Sequence, residues 1–185
     1  NIVFAHLRTD LPLTFWWQGD LTDRFEERLY SLIDRLIIDS SDWSDAATQF
    51  KRIREVLEQS GSRFAYNDKG QRKRFLLHDL SWTRGHHHRL AIAACFDDPI
   101  ALEELHSISE VEIEFHTDHV TAAVYMAAWI GTQMKGTLGE GSRSSGGFEF
   151  HRANDLPPLT IRLLAEDHAD SSLVAITMRG ENVCF

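Results

Sequence analysis

Apolar positions change their spacing several times along the chain, and each change marks an element. Ile2, Val3 and Phe4, then Leu11–Trp17, predict one or two strands, with Pro12 confining its strand to a start or an edge. Gly19 and Asp20 turn the chain, and Asp20 or Thr22 caps the first predicted helix by accepting from its first-turn amides. Phe25, Leu29, Leu32 and Ile33 share one face of that helix. Leu36–Asp39 is a short run of buried-strand type. Strand, helix and strand in that order predict parallel pairing.

Ser44 caps a second predicted helix that runs to Gln59 and stops at Gly61, with Ala47, Phe50, Ile53, Val56 and Leu57 inward. Residues 63–74 carry Arg63, Lys69, Arg72, Lys73 and Arg74, an exposed basic loop or hairpin. Phe75–Asp79 predicts a strand, and Ser81 begins a helix through Phe96. Asp98–Pro99 opens a short helix with proline at its permissive first position. Glu110–His116 alternates strictly, with Val111, Ile113 and Phe115 on one face and the glutamates and His116 on the other. Asp118 caps a helix from Val120 to Met134 that is apolar nearly all round (Val120, Ala123, Val124, Met126, Ala127, Trp129, Ile130), which predicts a central core element. Residues 136–147 are rich in Gly and Ser and predict a flexible loop. Phe148–Phe150, Leu159–Ala165, Leu173–Met178 and Asn182–Phe185 then predict an antiparallel meander.

The predicted fold is α/β: a mixed sheet with flanking helices in the order β-α-β-α-β-α-α-β-α, followed by a C-terminal antiparallel β-meander. Residues 1–135 form the α/β segment, and residues 136–185 the glycine-rich loop and antiparallel strands packed on the same core. The glycine-rich loop is the expected internal boundary.

Composition narrows the function. The 185 residues are 43% apolar and 25% charged, enough for a core without disulfide staples. Nineteen basic against 28 acidic residues give a net charge of -9, which removes an overall basic footprint for nucleic acid and disfavours anionic membranes. The longest apolar runs, Leu90–Phe96 and Val120–Gly131, fall short of the roughly 20 residues that span a bilayer. Cys95 and Cys184 form neither a disulfide framework nor a zinc box, and read as reduced thiols of a cytoplasmic protein. The chain begins at Asn1 rather than Met, as expected of a processed or trimmed chain, and shows no signal peptide.

The reactive residue types do not assemble into a catalytic pattern. His86, His87 and His88 are consecutive, and adjacent helical residues point about 100° apart, so they cannot share one ion. His116 and His119 flank Asp118 in a better arrangement, but no third ligand is identifiable. The glycines of 136–147 follow a helix and lead into a strand, the reverse of a phosphate-cradling loop. No Gly-x-Ser-x-Gly elbow occurs. Glu112 and Glu114 share a strand without a nearby Lys. The expectation is therefore no catalytic residue, no cofactor and no resident metal. What remains is aromatic. Trp16 and Trp17 put one indole on each face of a strand. Trp82 and Arg84 sit where a strand passes into a helix, the usual binding end of an α/β sheet. Trp and Arg are also the typical anchors of protein interfaces.

At these residues the sequence resembles the OpcA family, the glucose-6-phosphate dehydrogenase assembly proteins. The matching pieces are Asp10–Trp17 with Gly19, Asp34–Ser41 with Trp43, Asp79–Arg84, and Val111-Glu-Ile with Ala127–Ile130, in the family's order over roughly residues 10–134. The chain departs from the pattern at Gly85–His88, and family members extend further at the amino end. The resemblance implies a non-catalytic protein that binds glucose-6-phosphate dehydrogenase and favours its active oligomer, an allosteric regulator acting by protein–protein interaction in the pentose phosphate pathway. The candidate contact residues, taken from the aromatic reading above, are Trp16 or Trp17, Trp82 and Arg84. Two other readings come from the residues alone. One is a metal-dependent hydrolase using His116 and His119. The other is a sugar-phosphate-binding regulatory domain gripping its ligand through Arg63–Arg74.

Overall fold

A computed structural model describes residues 11–22, 33–60, 76–144, 146–153 and 156–185. The element predicted over Ile2–Phe4, the predicted helix of Phe25, Leu29, Leu32 and Ile33 as far as Leu32, and the basic stretch 63–74 lie outside these residues; Ile33 itself is described and is not helical. The chain is α/β and divides into two compact units, Asn1–Leu80 and Ser81–Phe185.

In the first unit, β1 (Thr14–Trp16), β2 (Arg35–Ile38) and β3 (Leu76–Asp79) form a three-stranded sheet in the order β1-β2-β3. Both pairings are parallel, with Phe15 opposite Leu36 and Ile37 opposite His78; the strand–helix–strand pattern predicted the first of the two. Ile33, Leu36 and Ile38 are fully buried and pack with Leu21, Trp43 and Ile53. Gly19 holds a φ of 71°, a left-handed turn that a side chain would strain. Its carbonyl accepts from the Trp43 indole at 3.0 Å, which ties the turn to the core.

α1 (Ala46–Ser60) differs from its predicted form at both cap and face. Asp45 is the cap, accepting from the Thr48 amide at 3.2 Å, while the Ser44 amide donates to Asp20 Oδ1 at 2.9 Å. An aspartate holds a first-turn amide with a charged oxygen, so Ser44 is displaced one position outward. Ile53 is buried as predicted, but Ala47 and Leu57 are exposed and Gln49 is buried. Gln49 Oε1 accepts from the Leu21 amide at 3.1 Å. A buried loop amide needs an acceptor, and that requirement rotates the inward face.

The second unit holds a five-stranded sheet in the order β5-β6-β7-β4-β8. Its strands are β4 (Glu110–His116), β5 (Gly136–Ser144), β6 (Gly147–Arg152), β7 (Leu159–Glu166) and β8 (Leu173–Arg179). β5, β6 and β7 run antiparallel in sequence; β4 pairs parallel with β7 and antiparallel with β8. β4 thus shares a sheet with the C-terminal strands. The stretch expected as a flexible loop is mostly strand β5, in register with β6 at Gly136↔Arg152 and irregular between Leu138 and Arg143. Glycines are tolerated there because β5 is an edge strand that packs on only one side. The last residues fold back on β8, with the Phe185 amide donating to the Met178 carbonyl at 2.9 Å.

Val111, Ile113 and Phe115 point inward along β4, as their alternation required. α5 (Val120–Gln133) covers that face with Ala122, Ala123, Met126, Ala127 and Ile130. Val120 and Val124 are exposed, so this helix covers the sheet rather than being enclosed by it. Asp118 does not cap it: a tight turn, Thr117–His119, comes first, and His116 Nδ1 accepts from the Asp118 amide at 3.2 Å. Between β3 and β4 lie three helices rather than two: α2 (Leu80–Arg84), α3 (His86–Cys95) and α4 (Pro99–Glu104). Asp98 caps α4 through the Ile100 amide at 2.8 Å. On the outer face of the sheet, Glu112 sits between Arg162, 3.5 Å away, and Arg179, to which it is hydrogen-bonded. Among the described residues no helix is long and apolar enough to cross a membrane.

Candidate interaction site

The expected single helix from Ser81 to Phe96 breaks at Gly85, and the break builds the site. Gly85 is buried. A Cβ there would stand 2.9 Å from Arg89 Nη1 and 3.0 Å from Met126 Cε. The missing side chain lets Arg89, from the first turns of α3, fold back over α2. Its guanidinium lies 3.6 Å from the centroid of the Trp82 ring, and Nη1 donates to the Trp82 carbonyl at 2.9 Å. Burial pushes the Arg89 pKa down, yet a guanidinium remains charged at any physiological pH. Tyr125 of α5 meets the indole edge-on, 5.7 Å between centroids and 82° between planes.

Trp82 is thereby fixed on one face by a cation and on an edge by a ring, yet keeps 40% of its surface exposed. Ser81 beside it is buried, about 100° around the short helix from the exposed Trp82. Arg84 bends back toward its own turn, with Nη1 3.4 Å from Ser81 Oγ. The cation over the Trp82 ring is Arg89. Arg89 and Tyr125 were absent from the sequence expectation. Their only sequence signals are a basic residue soon after a helix-breaking glycine and a hydroxyl-bearing ring in a helix of alanines.

Trp16 and Trp17 belong to the first unit. Trp17 is half-buried against that unit's core, with its indole N–H donating to the Asp20 carbonyl at 3.0 Å. Trp16 on β1 is 57% exposed. Neighbouring strand residues thus divide as alternation demands, one to the core and one outward.

The His116 and His119 rings lie 5.8 Å apart, and Asp118 Oδ2 is 3.7 Å from His116 Nδ1. Among the described residues, no three His, Cys, Asp or Glu side chains gather in a way that could hold a metal ion. The basic stretch Arg63–Arg74, on which the sugar-phosphate reading depends, is outside the described residues.

Comparison with known proteins adds two findings. The family of the carboxy-terminal domain of the glucose-6-phosphate dehydrogenase subunit OpcA matches residues 76–182, more than half of the chain. That stretch is β3 and nearly all of the second unit, and it contains Trp82, Arg84, Arg89 and Tyr125. A curated relative, "Putative OxPP cycle protein OpcA" of Nostoc punctiforme, is 21% identical over 154 residues. The alignment covers 82% of this chain and 30% of that protein, so the chain spans less than a third of its relative's length.

Proposed function

This chain belongs to the OpcA family, through the carboxy-terminal domain that defines this glucose-6-phosphate dehydrogenase subunit, and on that footing we propose that it is a non-catalytic, cytoplasmic partner of glucose-6-phosphate dehydrogenase. It binds the dehydrogenase, favours its active oligomer and so acts in the oxidative pentose phosphate pathway. The observation that carries this reading is the family match over residues 76–182, which encloses the Trp82 cluster. A partly exposed tryptophan held by Arg89 and Tyr125 is already ordered, so docking onto it costs little side-chain entropy. Trp, Tyr and Arg are also the residues that dominate binding energy at interfaces.

The chain's contribution is binding alone. A protein that binds one oligomeric state of an enzyme more tightly than another shifts the population toward that state. The shift is limited to the difference in affinity, typically ~1–3 kcal/mol. The contacts assigned to the task are Trp82 and Arg84 in the family-matched stretch and Trp16, with Trp17 behind it, in the first unit. The test mixes the chain with the dehydrogenase from the same cell and follows oligomer size and activity together. Co-elution with a shift toward the larger, active species supports the reading. Separate elution with unchanged activity contradicts it.

A further inference from the structure

α3 starts with the wrong residues for a helix N-terminus. His86, His87, His88 and Arg89 open it, and its first turn holds no acidic residue. Gly85 precedes them without a side chain to cap the turn. A helix N-terminus carries about half a positive charge, which favours anions there and disfavours cations. While the imidazoles are neutral, the turn holds one full cation, Arg89. That cation is the one that lies over the Trp82 ring and donates to the Trp82 carbonyl. The three histidines thus form the base from which the guanidinium reaches the Trp82 cluster.

No neighbour neutralises these histidines when they charge. His86 and His87 are exposed, with rings 5.5 Å apart, and His88 is half-buried. Among the described residues none of the three is ion-paired with a carboxylate. From α2 the charged neighbour is Arg84, a further cation just before Gly85. From α5 the titratable neighbour of the cluster is Tyr125, a phenol that stays uncharged below about pH 10. β8 and the folded-back tail set Ile176, Met178 and Phe185 around the same cleft as His88, and none of them ionises. His88 has its Nδ1 closed off from solvent without a hydrogen-bond partner. Burial first, and His87 second, push its pKa down, so it is the reluctant member of the three to take a proton.

We propose that the His86–His88 turn is a pH switch on the Trp82 docking surface. With neutral imidazoles, α3 holds Arg89 over Trp82 and the surface is ordered for docking. With charged imidazoles, the first turn of α3 carries a run of like charges at its positive end, Arg89 is repelled, and the hold on Trp82 loosens. The inference rests on the dehydrogenase-binding reading, because it regulates that same surface. Imidazoles charge around pH 6.5. The docked form favours the neutral histidines, so affinity is full above that range and is lost as pH falls through it. By linkage, docking at the acid end releases protons.

Calorimetric titration of the dehydrogenase with the chain, at about pH 8 and about pH 6 in two buffers of different ionisation enthalpy, counts those protons. Affinity should be roughly three- to tenfold lower at the acid end, with net proton release there and none at the alkaline end. The triple variant His86→Gln/His87→Gln/His88→Phe should keep the alkaline affinity and lose most of both effects. His86→Asp, a single exposed change that supplies the missing first-turn carboxylate, should shrink the acid loss. In the isolated chain, the Trp82 indole N–H resonance should move across the imidazole range in wild type and hold still in the triple variant. A wild-type Trp82 resonance that ignores pH in this range overturns the switch, as does an acid loss of affinity equal in wild type and both variants. Absence of binding at either pH contradicts the dehydrogenase reading instead, and the Trp82 resonance then decides the switch by itself.

Discussion

The Arg89 guanidinium lies 3.6 Å from the centroid of the Trp82 ring and is hydrogen-bonded to that residue's own carbonyl. Two interactions therefore hold one side chain, and both are lost in Arg89→Ala. A partly exposed cation–π contact is worth ~0.5–2 kcal/mol, and the charge-assisted hydrogen bond, screened by solvent at this exposed site, ~1 kcal/mol. Arg89→Ala should lower unfolding stability by ~1–2 kcal/mol, read from the urea midpoint at unchanged m-value. Arg89→Lys should fall between, since an ammonium keeps charge but not the flat stack. A midpoint unchanged in Arg89→Ala contradicts a stabilising role for the stack.

Gly85→Ala places a methyl 2.9 Å from Arg89 Nη1 and 3.0 Å from Met126 Cε. Crowding of this kind costs ~1–3 kcal/mol unless the neighbours move away. Arg89 is the neighbour freest to move, so the substitution should displace it from Trp82. The double variant Gly85→Ala/Arg89→Ala should then be less destabilised than the sum of the singles. Strict additivity would show that Gly85 and Arg89 act separately.

Acid should weaken the second unit in two steps. His88 has its pKa pushed down by burial first and by His87 second. Between its folded-state value and the usual imidazole value of about 6.5, the unfolded chain binds more protons, so stability rises with pH and is lost as pH falls through that window. Glu112 has its pKa lowered, chiefly by the hydrogen bond from Arg179 and then by the charges of Arg179 and Arg162. Its contribution is present above the usual carboxylate value and disappears as pH falls through the depressed one. Stability against pH should thus fall below about pH 6.5 and again in the carboxylate range. His88→Phe should flatten the first fall and Glu112→Gln the second. Raised salt should shrink the Glu112 component, because that group is partly exposed and its arginine partners more so.

Ile113 is fully buried at the centre of β4, opposite Leu163 on one side and Ile176 on the other. Ile113→Ala should cost ~2–5 kcal/mol. Glu114→Ala, one residue along and facing outward, should stay within about 0.5 kcal/mol. Thermal unfolding followed by circular dichroism compares them directly, and equal losses would contradict the assigned register.

Much of this fold was legible because period reports burial. The alternation from Glu110 to His116 named the inward residues of β4 without error, and the strand–helix–strand order gave the parallel pairing of β1 and β2. Long-range pairing was not legible. Nothing local says that β4 lies beside β7 and β8, or that a glycine-rich stretch is held straight by β6 at the sheet edge. Local polar competition also escaped the pattern: Asp45 displaces Ser44 as a cap, and Gln49 turns inward to serve a loop amide. At the candidate site, Trp82 was visible as an isolated aromatic at a strand-to-helix passage. Its partners were not, because Arg89 arrives only through the break at Gly85 and Tyr125 from a helix 43 positions later.

The central claim is that the chain works by gripping glucose-6-phosphate dehydrogenase through the Trp82 surface. Sedimentation velocity of the dehydrogenase, titrated with wild-type chain and with Trp82→Ala and followed by activity on the same samples, tests it most directly. The account predicts a saturable shift to a larger and more active species with wild type, and about tenfold or greater loss of affinity in a folded Trp82→Ala variant. A dehydrogenase whose size and activity ignore the wild-type chain, or respond equally to Trp82→Ala, contradicts it.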